Sequence, residues 1–276
     1  MATIKDDGIF QSTRMIAGFV IFILLLAFII LYIFPQKTDV WFSWTVKPGL
    51  MSMLMGAGYL AGAYFFLRVF TFKSWHRVQL GFLPITLFTI LMFLATLLHW
   101  DRFHHGTWAF YLWTAIYAIT PFLVPFLWLR NRVTDPGIPE HADVLFSNNA
   151  RWILAFISAA GLGISLLFFA FPSLYISLAP WALTPLTARV GAGWAALAAA
   201  TVLSVASDQR WSSARTLLEA GLIGVALMLL AFVRARADLN PANSMTWAFL
   251  VAFTLLVLGF GVVHFMLDRR ARQNHI

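Results

Sequence analysis

Residues Met15 to Phe34 read MIAGFVIFILLLAFIILYIF, twenty positions without a charge, and seven further stretches of similar length and character follow. A run of about 20 apolar residues crosses roughly 30 Å of hydrocarbon as an α-helix. A backbone in lipid must satisfy its own polar groups within the segment or within a closed barrel. The runs are twice the length of barrel strands and do not alternate, so helix is the expected form. The pattern predicts an all-α polytopic membrane protein with eight transmembrane helices, near 15–34, 48–69, 79–99, 108–130, 152–172, 185–206, 214–234 and 246–267. The first run follows Lys5 and Arg14 but exceeds a typical signal-peptide core and lacks a small-residue cleavage site. It is read as a retained span.

Charge confirms lipid as the intended solvent, because only 11% of the residues are charged against roughly a quarter in soluble domains. The net charge of +8 is not a nucleic-acid signal, since the basic residues sit at segment ends instead of forming a patch with interleaved aromatics. Of the 19 Lys and Arg residues, 13 fall on the side of the two termini, which predicts that both termini are cytoplasmic and that the chain resides in the cell (inner) membrane. With no cysteine, disulfides, thiolate metal sites, iron–sulfur clusters and cysteine nucleophiles are excluded.

The least apolar stretch, RNRVTDPGIPEHADVLFSNNAR from Arg130 to Arg151, divides the spans into two sets of four. Arg14 and Arg151, Phe34-Pro35 and Phe171-Pro172, Trp44 and Trp181, Pro48 and Pro185, and Gly56 and Gly193 are each 137 residues apart. The expected plan is therefore an N-terminal segment (1–13), a four-helix repeat (14–130), a cytoplasmic linker (131–150), a second repeat (151–270) and a short tail (271–276). An even number of spans per repeat gives both copies the same orientation, related by a pseudo-twofold axis along the membrane normal. Pro48 and Pro185 suit the first turn of the second helix in each repeat, and Thr184 an N-cap. Small residues at four-residue spacing, Gly58 and Gly62 in one and Ala192, Ala196 and Ala200 in the other, would let these two helices approach closely near the axis. Pro121 and Pro125 are expected to kink the fourth span. Trp41, Trp44, Trp100, Trp108, Trp181 and Trp247 are expected in the interfacial aromatic belt.

Candidate chemistry gathers at the end opposite the termini. Lys47, Arg102, Arg189, Arg234 and Arg236, with His99 and Asp101, would line a positive vestibule between the repeats, suited to a small anion or a lipid head group. The alternative is snorkelling to phosphates with Asp101 and Asp238 as local partners. His99, Asp101, His104 and His105 are also the ligand types of a first-row metal, although their spacing matches no metal motif. His76 and His264 are a second pair, capable in principle of haem ligation. Glu219 is a proton-coupling candidate, with helix-dipole stabilisation as its structural alternative. No phosphate-binding glycine loop, nucleophile elbow or HExxH is present. The expected function is thus a carrier or binding protein for a small anionic or amphipathic solute, with the bilayer as its partner and no cofactor. A metal- or haem-dependent membrane enzyme or redox subunit and a non-catalytic membrane scaffold are the alternatives.

Overall fold

The computed structural model describes residues 6–274, so Lys5 and the last two residues of the tail lie outside it. Eight helices are long and apolar enough to cross a membrane, and no strand occurs among the described residues. The chain is an all-helical, multi-pass membrane protein. Its long helices are α1 (Gln11–Phe28), α3 (Gly49–Thr71), α4 (Phe82–Leu98), α5 (Trp108–Asn131), α6 (Asn148–Ala170), α8 (Pro185–Ser207), α9 (Trp211–Arg234) and α10 (Ser244–Gln273). Two short helices, α2 (Thr38–Trp41) and α7 (Pro172–Leu178), follow the first and fifth spans.

The local signals in the sequence set most helix ends. Thr184 caps α8 in a reciprocal capping box with Thr187, and Pro185 occupies its first position. Pro48 stands one residue earlier than its counterpart, as the N-cap of α3. The helix α5 runs unbroken through Pro121 and Pro125. The largest departure in length is α10, which continues to Gln273 because its charged last turns remain helical after the apolar run ends.

Each outer helix packs on one inner helix: α1 on α3, α5 on α4, α6 on α8 and α10 on α9. The inner helices then pair across the middle of the chain, α3 with α9 and α4 with α8. Where α3 meets α8, a Cβ on Gly58 would come within 2.5 Å of the Trp194 ring, so only glycine admits that contact. Ala192, Ala196 and Ala200 are buried on α8, and α3 is the most enclosed of the eight spans.

Two of the tryptophans expected at the interface lie in the core. Trp44 and Trp181 are buried, Trp44 among Phe42, Phe103 and Trp113, and Trp181 against Phe232 and Phe249. The loops that follow α2 and α7 fold inward and carry these rings with them. Trp41, Trp100, Trp108 and Trp247 are exposed, as a belt requires.

Candidate functional site

Three helices carry polar side chains four residues apart, and the packing turns all three pairs toward one another near the end that holds the termini. The pairs are Tyr64 and Arg68 on α3, Arg215 and Glu219 on α9, and His264 and Asp268 on α10, each on one helix face by its spacing. Glu219 is the hub. Tyr64 and Arg68 contact its Oε2, the guanidinium at 3.3 Å, while Arg215 Nε lies 3.1 Å and His264 Nε2 3.2 Å from its Oε1. Arg68 Nε also donates to the Tyr64 hydroxyl at 2.8 Å. Asp268 accepts from Arg215 at 2.8 Å and from the Trp211 indole at 3.1 Å. Two carboxylates thus face two guanidiniums, with the His264 imidazole set against Glu219. Glu219 lies eight residues into α9, about 12 Å along the helix, where an unpaired charge in hydrocarbon would be costly.

At the same end, residues 131–150 are fastened down along their length. Arg77 donates to both oxygens of Glu140, at 2.7 and 2.6 Å. The His76 ring sits between Asp7, 2.5 Å from Nδ1, and Glu140, 3.0 Å from Nε2 but off the hydrogen-bonding angle. Arg210, only 6% exposed at its side chain, holds both oxygens of Asp135 and also Asp208. Gln79 adds a hydrogen bond to Asp135, and Asp143 accepts from the Ser212 amide and hydroxyl at the start of α9. Burial alone would raise the acids, but their partners dominate: Asp135 is held at about 2, chiefly by Arg210, and Glu140 is lowered by Arg77 and Asp208 by Arg210. Burial works against the charge on Arg210, yet the two aspartates hold its pKa above the usual arginine value.

The opposite end is held by fewer and mostly hydrogen-bonded contacts. Arg189 Nη1 lies 2.6 Å from His99 Nε2, and its Nε donates to the Phe169 carbonyl at the end of α6. Burial first, and then the charge of Arg189, lowers the pKa of His99, which suits a neutral ring accepting at Nε2. Asp238 accepts from the Leu50 amide at 2.8 Å and so caps α3 from the other half of the chain. Arg234 lies over the Tyr32 ring and donates to the Tyr32 carbonyl. Lys47 and Arg236 are exposed, and exposed Arg102 pairs with exposed Asp101.

The structure therefore brings together some of the expected groups and separates others. Arg189 and His99 meet. His104 instead bonds the Thr45 hydroxyl and the Phe42 carbonyl, and His105 bonds the Trp100 carbonyl, so these rings do not converge with His99 and Asp101. No group of three or more His, Asp or Glu residues arranged for a metal occurs among the described residues. His76 and His264 belong to separate networks. The sequence reading picked out Glu219 and His264 singly but missed Tyr64, Arg68, Arg215 and Asp268. The available signal was polar residues four apart in three otherwise apolar helices. No family model, curated protein or solved structure matches the chain.

Proposed function

We propose that this chain is a membrane carrier for a small anionic or amphipathic solute, with both termini cytoplasmic in a cell membrane and with Glu219 as its proton-coupling group. It is built from two four-helix repeats of the same orientation. Support for the repeats comes from contacts at the same offset as the sequence matches. Arg14 donates to the Phe70 carbonyl and Arg151 to the Ser207 carbonyl, donors and acceptors alike lying 137 residues apart. Ser52 and Arg189, also 137 apart, each bond a carbonyl near the end of the preceding span, Leu31 in one case and Phe169 in the other. The pairing of α3 with α9 matches that of α8 with α4 under the same relation.

The observation that carries the carrier reading is the junction of Tyr64 and Arg68 with Glu219 inside the membrane-crossing region, between the two halves of the chain. Rocking of one repeat against the other has to open such a junction at one end while the other end stays closed. At the far end the halves are tied by Arg189 to His99 and by Asp238 to Leu50. Proton uptake at Glu219 weakens the first tie without touching the second. Neutralising Glu219 leaves Arg68 without its carboxylate, and that couples opening to pH.

The test is solute-induced current across supported proteoliposomes, screened with small carboxylates, sulfonates and phosphate esters. Saturable current is expected with at least one anion, reduced at least about tenfold by Arg189→Ala. Glu219→Gln is expected to keep solute exchange but lose acceleration by an imposed pH gradient. No response from any anion, or a response indifferent to both substitutions, would overturn the proposal.

A further inference from the structure

The outer helices α1 and α5 pack on different partners, and an apolar cleft lies between them. It runs from Trp41, Ser43 and Trp108, at the end away from the termini, to Tyr59 and Tyr117. Tyr59 is ten residues into α3 and Tyr117 nine into α5, about 15 Å along each helix, which puts their rings near mid-depth in a ~30 Å hydrocarbon layer. The walls are aliphatic, with Ile23 and Leu26 facing Leu112 and Ile116, and all four are partly exposed. The cleft thus opens sideways between two membrane-crossing helices, toward the surface that meets lipid. Apart from the two tyrosines, no ionisable residue lines it.

The floor is chemically unfinished. Tyr59 and Tyr117 are each 5% exposed, and their hydroxyl oxygens are 3.1 Å apart. Two hydroxyls bring two O–H donors, and one bond between them uses one. The second finds no acceptor among the described residues. A buried donor left in that state is unfavourable, and an oxygen acceptor from a ligand would relieve it.

We propose that this cleft binds an uncharged lipid that carries a carbonyl oxygen on a mobile, apolar-tailed head, the chemistry of a lipid-soluble quinone. The absence of charged lining residues excludes an anionic head group, and lateral access selects a ligand that partitions into the bilayer. Depth decides between the remaining lipids: the ester carbonyls of glycerolipids stay at the interface, whereas a neutral ring ketone can descend to the tyrosine pair. Trp113, centred 4.3 Å from Tyr117, packs against the pair and makes the floor aromatic. The site holds whether or not the chain transports anything.

The experiment is photolabelling of the full-length protein in nanodiscs with an azido-benzoquinone bearing a decyl tail, with unlabelled quinone as competitor and an alkyl diazirine as the comparison probe. Labelling by the quinone is expected to concentrate on peptides covering Ile23 to Ile30 and Trp108 to Tyr117 and to be competed away. The double variant Tyr59→Phe/Tyr117→Phe should lower it roughly five- to tenfold, the loss of one buried hydrogen bond, while leaving alkyl labelling of the cleft unchanged. Ala27→Trp, at a partly exposed lining position, should lower labelling by both probes by filling the space. Quinone labelling spread evenly over lipid-facing helices such as α10, or insensitive to Ala27→Trp, would overturn the site. Equal loss of both probes in the tyrosine variant would overturn the assignment of a carbonyl.

Discussion

Arg210 donates to the two oxygens of Asp135 and to Asp208 from a position almost closed to solvent. A lysine offers one point charge where this site uses a planar fork, so Arg210→Lys should cost nearly as much as Arg210→Ala. Both are expected to lower the melting temperature in detergent by several degrees, with a loss of roughly 3 kcal/mol for a buried pair broken on one side. Asp135 also gives the fold an acid limit. Its folded-state value of about 2 lies below the usual 3.8, so the unfolded chain protonates first as pH falls. The stabilisation is complete above about pH 4 and is lost toward pH 2, roughly 2 kcal/mol in all. Melting curves of wild type and Asp135→Asn should therefore converge through that window, and curves that stay parallel would rule the linkage out. Glu219→Leu is the complementary case, because it leaves Arg68 and Arg215 facing an apolar side chain. Adding Arg68→Leu to it should recover part of the lost stability, since an apolar pair can replace a buried ion pair with little penalty.

Among the helices, close approach at glycine separates contacts that can yield from those that cannot. A Cβ on Gly58 would strike the ring of Trp194, which is itself packed against Tyr59 and Phe88, whereas one on Gly193 would press on the terminal methyl of Met92 and otherwise meet Leu91 at ordinary contact distance. Gly58→Ala is expected to cost about 1 to 3 kcal/mol and Gly193→Ala clearly less, as read by thermal unfolding. The spans themselves were legible because hydropathy over 20 residues is a local property, and each of the eight intervals overlaps the helix that formed there. The burial of Trp44 and Trp181 was not legible, since a tryptophan beside a span reads the same whether its loop turns outward to the head groups or inward. The fastening of residues 131–150 was hidden for a related reason. Its ion pairs join positions 63 and 75 residues apart, Arg77 with Glu140 and Asp135 with Arg210, and composition sees only a polar loop.

For the molecule as a whole, the decisive arrangement is that every inner helix has its inner neighbour in the other half of the chain. Neither half can complete its packing alone. Cleavage within residues 131–150 after folding should leave the two pieces associated through α3 with α9 and α4 with α8. Expressed separately, each piece should be degraded, and expressed together they should co-purify. A stable, monodisperse first half would contradict the interlocked packing. The small-residue faces led to the expectation of α3 against α8, whereas the main inner pairs are α3 with α9 and α4 with α8, because apolar helices of similar composition carry no mark of which neighbour each will choose.

The same interlock sets a schedule for making the protein. When the fifth span leaves the ribosome, α3 is already in the bilayer with Tyr64 and Arg68 in place, and Glu219 has not yet been translated. A guanidinium must wait in or beside lipid for roughly 150 residues of synthesis before its carboxylate arrives. During that interval the nascent chain depends on snorkelling, on water or on the insertion machinery to shelter the charge, and translation stalled before α9 leaves a product marked for disposal.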